Sequence, residues 1–339
     1  MKPVTSVLII APQWVGDLVM AQVLFKCLKQ QWPAAQLDVV VPPWGAVVTQ
    51  AMPEIHRTYA LQSARGKLGL RARWALARTL RAQGYSRAIV LPGSFKSALL
   101  PWLAGIPVRI GWRGEWRYGL LNDLRVLNKA THPLMIQRYA ALAFAENTPL
   151  LDALPSPSLT VDSAAARATA EKLGLAADGR KVLAVCPGAA FGRSKQWPQL
   201  YLSAVVQQKI DEGWTVWLLG SPNERKGVQA LINLKLLYCH DLFNTSLEEM
   251  MQLFTLADAV LSNDSGAMHL AAAVNRPLIA VYGSTTPAHT PPLSDKAVAL
   301  REPLDCSPCF KRTCQFGHYR CMQSVTPARV LAAVSEVVG

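Results

Sequence analysis

Short apolar runs recur along this chain, and each leads through a tight turn into a helical segment. "SVLIIA" (6–11), "LDVVVP" (37–42) and "SRAIVLP" (86–92) show the arrangement in the first half of the chain. A strand that is buried on both faces reads as a continuous apolar run, and parallel strands need helical crossovers between them. The alternation therefore predicts an α/β protein with parallel sheets covered by helices.

The alternation fades once, in a proline-containing stretch at about 146–161, and then begins again. A chain of 339 residues is long enough for two domains. We therefore predict two doubly wound, Rossmann-like domains, residues 1–155 and 156–325, that face a central cleft. Residues 326–339 are predicted to form a C-terminal helix, for which packing back on the first domain is one alternative. Ligands of such sheets bind at the carboxyl ends of the strands.

Composition narrows the classes of protein. Hydrophobic residues make up 51% of the chain and charged residues 17%, which excludes a disordered protein. The N-terminus lacks the pattern of a signal peptide, and no apolar run is long enough to span a bilayer, so we expect a cytoplasmic protein. The net charge of +13 favours an anionic partner. No zinc-finger, RNP or helix-turn-helix signature is present, so a specific nucleic-acid partner is not expected.

The first strand-to-helix turn, "PQWVGDLVM" (12–20), carries an acid where a dinucleotide-binding turn would carry glycines. Gly16 is followed at once by Asp17. A carboxylate at the edge of a cleft can act as a general base. The alternative is an ordinary acid in the first turn of a helix, which the helix dipole favours.

The turn "SNDSGAMHL" (262–270) predicts an anion site in the second half. The N–H groups of Ser265, Gly266 and Ala267 come at the start of an apolar helix, where they lack intrahelical partners. Asp264 precedes them and could accept hydrogen bonds from sugar hydroxyls. An ordinary N-cap explains the same residues equally well. His269 is either a contact of this site or a half-buried histidine of the helix.

Two further turns of the second half carry candidate ligand residues. In "CPGAAFGRSKQWP" (186–198), Gly188 follows a strand, and Lys195 can neutralise a diphosphate as a point charge. In "LLGSPNERKG" (218–227), Glu224 can accept hydrogen bonds from ribose hydroxyls. A solvated lysine and an acid that complements a helix dipole are the alternatives. An anion site, a lysine and an acid on successive turns of one domain are the layout expected of a nucleotide-sugar transferase.

Four long blocks carry a resemblance to a known family. "IAPQWVGDLVMAQ", "LPGSFKSALLPWLAGIPVRIGWRGEWRYGLLND", "CPGAAFGRSKQWP" and "SNDSGAMHLAAAVNRPLIAVYGSTTP" resemble the bacterial heptosyltransferases, and the resemblance covers nearly the whole chain. It implies a two-domain GT-B fold and inverting transfer of L-glycero-D-manno-heptose from ADP-heptose, without a required metal or other cofactor. The second block favours transfer to an inner core that already carries one heptose (heptosyl-Kdo-lipid A). Addition of the first or a later heptose remains an alternative, as does a GT-B sugar-nucleotide epimerase.

The resemblance also assigns roles to residues. Asp17 matches the family's proposed general base, which explains an acid in a turn that binds no phosphate. Lys195 and the turn 265–267 match the diphosphate contacts, Glu224 the ribose contact and Asp264 the heptose contact.

The acceptor that the resemblance implies is rich in carboxylates and phosphates, which cationic side chains can hold. Four basic residues of the first domain are candidates for this role, with solvated or structural positions as the alternative. The excess positive charge also favours peripheral attachment to the cytoplasmic face of the inner membrane. The candidates are Lys96, Arg113, Arg117 and Arg138.

A cysteine cluster follows the last strand, with the spacing C-x2-C-x4-C-x6-C. Its members are Cys306, Cys309, Cys314 and Cys321. Four thiols at short spacing can bind zinc, but this spacing differs from that of common zinc ribbons. A structural metal, disulfides and free thiols all remain open. We expect no metal in the catalytic site.

Overall fold

The computed structural model describes residues 4–62, 68–175 and 178–339. The chain divides into two compact units, Met1–Pro157 and Ser158–Gly339, which we refer to as unit 1 and unit 2. The division falls inside the proline-containing stretch at 146–161.

Unit 1 alternates strands and helices throughout. Its strands are β1 (Ser6–Ile10), β2 (Gln36–Val41), β3 (Arg57–Ala60), β4 (Arg87–Val90), β5 (Val108–Trp112) and β6 (Asp123–Arg125). Its α-helices are α1 (Val15–Met20), α2 (Gln22–Gln31), α3 (Ala46–Gln50), α4 (Leu70–Arg81), α5 (Phe95–Leu103) and α6 (Met135–Ala140).

Unit 2 repeats the pattern with more helices. Its strands are β7 (Val182–Cys186), β8 (Thr215–Leu219), β9 (Cys239–Leu242), β10 (Ala259–Asn263), β11 (Leu278–Val281) and β12 (Ala297–Leu300). Its α-helices are α7 (Ser163–Lys172), α8 (Gln199–Asp211), α9 (Pro222–Arg225), α10 (Gln229–Asn233), α11 (Leu247–Leu256), α12 (Gly266–Ala273), α13 (Arg320–Gln323) and α14 (Pro327–Val338).

Both sheets have the same topology. Unit 1 has the strand order β3-β2-β1-β4-β5-β6, and unit 2 has β12-β11-β10-β7-β8-β9, which is the same order written from the other edge. Every neighbouring pair is parallel. The strand order reverses between β1 and β4 in unit 1 and between β7 and β10 in unit 2. These switch points are where a doubly wound sheet binds ligands, and the two predicted Rossmann-like folds are confirmed.

Local sequence signals account for several helix ends. The pattern S-x-x-E at 246–249 predicts a capping box, and the structure has it: the hydroxyl of Ser246 accepts a hydrogen bond from the N–H of Glu249, whose side chain completes the box at the start of α11. Thr326 caps α14 in the same way, with Pro327 at the first helical position. Pro198 is the N-cap of α8 rather than a residue of its first turn. Helix α14 packs against α8 and β11 of its own unit.

The arginine-rich sequence near 66–83 predicts a long basic helix. The helix observed there is α4, Leu70–Arg81, and residues 63–67 lie outside the described residues. Within the described parts of the chain, no helix combines the length and the hydropathy needed to cross a bilayer.

Candidate functional site

The switch point of unit 2 brings two of the predicted turns together. Strands β7 and β10 pair in parallel with Ser262 opposite Cys186, so both end at the same edge of the sheet. The turn after β7 carries Gly188 and Lys195, and the turn after β10 begins with Asp264. Lys195 contacts Asp264 across 69 positions of the chain, and the Asn263 amide donates to the Pro187 carbonyl across 76, so the two turns share one edge.

Lys195 and Asp264 form a buried ion pair at this edge. The Lys195 Nζ lies 2.6 Å from Oδ2 of Asp264, and the hydroxyl of Thr285 donates to the same oxygen at 2.5 Å. The lysine side chain is 14% exposed and the aspartate side chain 4%, so the carboxylate depends on these donors rather than on water. The sequence placed Lys195 and Asp264 on separate turns as separate ligand contacts. Thr285 was missed, because one threonine in a loop gives no distinctive signal.

The start of α12 is open to a ligand. Ser265 is the N-cap in an extended conformation, and its hydroxyl makes no capping hydrogen bond. Ser265, Gly266 and Ala267 are partly accessible, whereas Asp264 and Met268 on either side are buried. N–H groups at a helix start and the helix dipole together favour an anion. The arrangement therefore has the form of the predicted anion site, and the contact itself remains a prediction.

His269 lies in the first turn of α12 as a buried, neutral group. The residue is 4% exposed. Burial lowers the pKa of its imidazole from 6.5 to about 4; Asp264 opposes the shift and Lys195 adds to it. His269 therefore carries no charge at neutral pH. The structure thus shows a buried histidine of the helix, and a contact between His269 and the ligand remains a prediction.

Glu224 reaches the same edge from the turn after β8. Its Oε2 accepts hydrogen bonds from the N–H and the hydroxyl of Ser221, both at 2.8 Å, which makes it part of a capping box for α9. Its side chain also covers Gly188: a Cβ at position 188 would lie 2.2 Å from the Glu224 Cδ. A larger residue at position 188 would have to displace the Glu224 side chain. The structure thus brings Gly188 and Glu224 into contact, and the ribose contact of Glu224 remains a prediction.

The cysteine-containing segment packs against the loop that carries Lys195. The N–H of Ser194 donates to the carbonyl of Arg312 at 3.1 Å, and its hydroxyl donates to the carbonyl of Lys311. A Cβ at Gly192 would lie 2.4 Å from the Arg312 carbonyl oxygen. The carbonyl of Ser284 accepts hydrogen bonds from the N–H groups of residues 309 and 310. The segment therefore supports the loop from one side.

The cysteines of this segment are free thiols, so the structure contains no disulfide between them. Within residues 4–62, 68–175 and 178–339, no three or more His, Cys, Asp or Glu side chains are grouped so that they could hold a metal ion.

In unit 1, Asp17 lies in the first turn of α1, at the switch point of the sheet. It is partly accessible, whereas Gly16 and Leu18 on either side are buried. The hydroxyl of Tyr139 donates to its Oδ1 at 3.1 Å. Tyr139 is buried, and both burial and the negative charge of Asp17 raise its pKa, so it stays protonated and remains a donor. Tyr139 was not predicted from the sequence, because it is 122 positions from Asp17.

Two loops of unit 1 place Lys96 and Arg113 near each other. A Cβ at Gly114 would lie 2.3 Å from the carbonyl oxygen of Gly93, so the loops touch through their glycines. The N–H of Glu115 donates to the Gly93 carbonyl at 3.0 Å, and its carboxylate accepts from the first N–H of α5 at 2.7 Å. Lys96 is partly exposed on one side of this contact, and Arg113 is exposed on the other.

The other two predicted acceptor residues differ in exposure. Arg138 is partly exposed, and its carbonyl accepts a hydrogen bond from the Trp112 Nε1 at 2.9 Å, which ties it to the residue before Arg113. Arg117 is 1% exposed. Its guanidinium donates to the carbonyl of Pro92 at 2.6 Å and to that of Trp112. The structure therefore gives Arg117 a structural role inside unit 1.

Each unit thus presents its polar candidates at the carboxyl ends of its own sheet. Unit 2 has an open helix start, a lysine and two acids, and unit 1 has the partly accessible Asp17 carboxylate together with cationic side chains. Two Rossmann-like units with these features define the class of GT-B glycosyltransferases.

Comparison with known proteins identifies the family. The model of glycosyltransferase family 9 (heptosyltransferase) matches residues 73–320, and the chain belongs to this family. It is 39% identical to the protein named lipopolysaccharide heptosyltransferase 2 of Escherichia coli strain K12, over 98% of each chain. It is 40% identical to lipooligosaccharide heptosyltransferase 2 of Haemophilus influenzae, over 98% of this chain and 99% of that one.

A solved structure agrees with these matches. The structure of E. coli ADP-heptose LPS heptosyltransferase II superposes with a TM-score of 0.89 at 38% identity, covering 98% of both chains. The predicted family, the GT-B fold class and the assignment as a glycosyltransferase are confirmed.

Proposed function

We propose that this protein is an inverting glycosyltransferase that moves L-glycero-D-manno-heptose from ADP-heptose to heptosyl-Kdo-lipid A, the second heptose addition of the lipopolysaccharide inner core. The observation that carries the proposal is the switch point of unit 2, where the Lys195–Asp264 pair lies beside the open start of α12. This arrangement of positive charge supports a donor whose sugar is linked to a diphosphate. The 39% identity over 98% of the chain to a protein named for this transfer supports the sugar and the acceptor.

We propose that unit 2 holds the donor. The N–H groups of residues 265–267 and the Lys195 ammonium would bind the diphosphate, because both supply fixed positive charge. The same groups would stabilise the charge that develops on ADP as it leaves, which is where preorganised donors contribute most to rate. Glu224 would accept from the ribose and Asp264 from the heptose. No metal ion or other cofactor forms part of this proposal.

We propose that unit 1 holds the acceptor and the base. Asp17 takes the proton of the acceptor hydroxyl as its oxygen attacks the anomeric carbon of the heptose. The bond between that carbon and the oxygen of the β-phosphate breaks, its electrons leave with ADP, and the configuration inverts. The Tyr139 hydroxyl donates to Oδ1 and so orients the carboxylate. General-base catalysis of this kind typically contributes about 10²- to 10⁴-fold.

The cations of unit 1 would hold the phosphates and carboxylates of the acceptor. Lys96 at the start of α5, Arg113 in the loop after β5 and Arg138 in α6 are at least partly accessible, and Gly93–Gly114 and Trp112–Arg138 contacts tie these segments together. Arg117 is left out of this role, because its guanidinium is buried. Since the acceptor is anchored in lipid, we place the enzyme at the cytoplasmic face of the inner membrane, attached peripherally.

The test is release of ADP from ADP-heptose with two acceptors, Kdo-lipid A with and without its first heptose. We expect release only with the heptose-bearing acceptor, and a product heavier by one heptose. Release only with the heptose-free acceptor would instead assign the first transfer. Formation of an altered ADP-sugar without acceptor would indicate an epimerase. A protein that binds ADP but reacts with neither acceptor would refute the proposed donor or acceptor.

The role of Asp17 has its own test. Asp17→Asn keeps the shape of the side chain but cannot take a proton, so transfer should fall by about 10²-fold or more while ADP affinity stays unchanged. Asp152→Asn, at an exposed position of the same unit, is the matched control and should keep full activity. Loss of ADP binding in Asp17→Asn, with the fold intact, would contradict the assignment.

Tyr139 is a positioning residue in this scheme, and its test is a pH profile. A donated hydrogen bond stabilises the charged carboxylate, so Tyr139→Phe should raise the pKa of Asp17. The acid limb of the kcat profile should then move to higher pH. A purely structural role would lower activity at every pH without moving that limb.

A further inference from the structure

Helix α4 presents a face that the transferase mechanism does not use. Leu70, Trp74, Arg78 and Arg81 are spaced four, four and three residues apart, so they form one stripe along the helix, and Arg71 flanks it. Leu70 is 55% exposed and Trp74 is 58% exposed. The three arginines are exposed as well. We call these five residues the α4 face.

The opposite side of α4 is what holds the helix to unit 1. Ala77 and Leu80 are buried against the core. Arg73 is buried too, and its Nε donates to the carbonyl of Leu68 at 2.8 Å. The helix packs on α5 through this side. Leu70 and Trp74 of the α4 face are therefore not required for packing within unit 1, and another reason is needed for these large exposed apolar residues.

The charge of the α4 face has one sign. The helix sequence LRARWALARTLR contains no acidic residue. Among the described residues, no salt bridge includes Arg71, Arg78 or Arg81. The Arg78 guanidinium lies 5.0 Å from the centre of the Trp74 ring. Cation and aromatic ring thus form one unit that points to solvent.

A second exposed tryptophan lies on the neighbouring helix α5. The Arg81 Nη2 donates to the carbonyl of Leu103 at 2.6 Å, which fixes the end of α5 beside the end of α4. Trp102, the residue before Leu103, is 48% exposed. Exposed large apolar residues normally occur singly, and a group of them marks a binding surface.

Tryptophan with arginine is the combination that binds a membrane surface. Indole rings settle at the level of the lipid headgroups, and arginines reach the phosphates while their stems cover apolar surface. A helix with this composition lies in the plane of an anionic interface. We propose that the α4 face, with Trp102, docks this protein onto a bilayer that contains anionic phospholipids.

Two other partners fit the surface less well. A nucleic acid would use the arginines, but it would leave Leu70 and Trp74 without apolar partners in a duplex backbone contact. A second copy of the chain, joined through the same face, would bring arginines against arginines, since a two-fold contact pairs a patch with itself. An anionic lipid surface uses both the charge and the apolar side chains.

The test measures partition onto vesicles. The full-length protein should sediment with vesicles of phosphatidylglycerol and phosphatidylethanolamine, and much less with phosphatidylcholine alone. Arg71→Gln with Arg78→Gln should weaken partition by about fivefold for each arginine, or roughly thirtyfold together. Trp74→Ser should weaken it by on the order of tenfold. Leu237→Ser and Arg167→Gln, at exposed positions of unit 2, are the matched controls and should partition like the unchanged protein.

Each contrary result overturns the inference. Equal sedimentation of the α4 variants and the controls would show that another surface binds lipid. Equal partition onto both kinds of vesicle would remove the role of the arginines. Self-association that Trp74→Ser abolishes would assign the face to a second copy, and tight duplex binding without vesicle binding would assign it to nucleic acid.

The inference rests on the membrane attachment in the proposed function and names the surface that makes it, but its test is independent of the transfer reaction. Vesicle binding needs neither donor nor acceptor, so it can fail while ADP release succeeds, or the reverse. If both hold, the α4 variants should lose activity on acceptor embedded in vesicles and keep it on an acceptor freed of its acyl chains.

Discussion

The buried His269 predicts how stability changes with acid. Its imidazole has a pKa of about 4 in the folded protein, mainly because of burial, against 6.5 for the unperturbed group. The Lys195 ammonium also disfavours a charge there, and Asp264 partly offsets this. Between these two pH values the unfolded chain binds a proton that the folded chain does not.

The sign and size follow from this difference. Stability rises with pH wherever the unfolded state binds more protons, so acid should destabilise the folded protein between pH 6.5 and about 4. At about 1.4 kcal/mol for each unit of pKa difference, His269 accounts for about 3 kcal/mol. Above pH 6.5 the imidazole is neutral in both states and the effect is absent. Below about 4 it is charged in both states and the loss is complete.

The assay is urea unfolding across this pH range, with His269→Gln as the comparison. The variant removes the titrating group, so its stability relative to the unchanged protein should rise by about 3 kcal/mol as the pH falls from 6.5 to 4. His240 is a second histidine whose pKa burial lowers, and the His269 effect should persist in a His240→Gln background. A difference in stability that stays constant across the range would refute the reasoning.

Two more substitutions probe unit 2. Lys195→Met leaves the buried Asp264 without its cation and should lower the free energy of unfolding, measured by thermal unfolding, by about 3 kcal/mol. Adding Asp264→Asn to this variant should recover part of the loss. Losses that simply add would contradict a coupled pair. Gly188→Ala would place a Cβ 2.2 Å from the Glu224 Cδ, so the Glu224 side chain should be displaced and the affinity for ADP should fall in a binding titration. The control is Gly227→Ala, where a Cβ has nothing within 4 Å, and this variant should bind ADP normally.

The parts of the fold that the sequence predicted are those with local signals. The strand before Asp17 is a continuous apolar run, and Ser246 with Glu249 gives a capping box within four residues. The edge strands β9 and β12 were missed, because their burial is only partial and neither has the long apolar run of a central strand. Pairing with a neighbour across the sheet, rather than local pattern, makes these segments strands.

Site residues divide in the same way. Lys195, Glu224 and Asp264 could be found because each lies on a strand-to-helix turn, and the topology of a doubly wound sheet brings such turns together. Tyr139 could not be found, because its contact with Asp17 joins residues 122 positions apart and a tyrosine in an apolar helix is ordinary. The burial of individual side chains could not be predicted either. The sequence "GWRGEWRYG" does not distinguish Arg113, which is exposed, from Arg117, which is buried.

The Lys195–Asp264 pair orders the lysine before the diphosphate binds, which two separate ligand contacts would not do. A free lysine in a loop would have to be ordered when the diphosphate binds, at a cost in side-chain entropy. Here the ammonium is already held at 2.6 Å by the Asp264 carboxylate, and the Thr285 hydroxyl holds the same carboxylate oxygen. The charge is therefore in position before the donor arrives. Because Asp264 is buried, it depends on Lys195, and the lysine keeps this partner until a stronger anion comes within its reach. Thr285→Val should accordingly weaken ADP binding through the looser Lys195, even though Thr285 carries no charge, and unchanged ADP affinity in that variant would show that the lysine needs no such support.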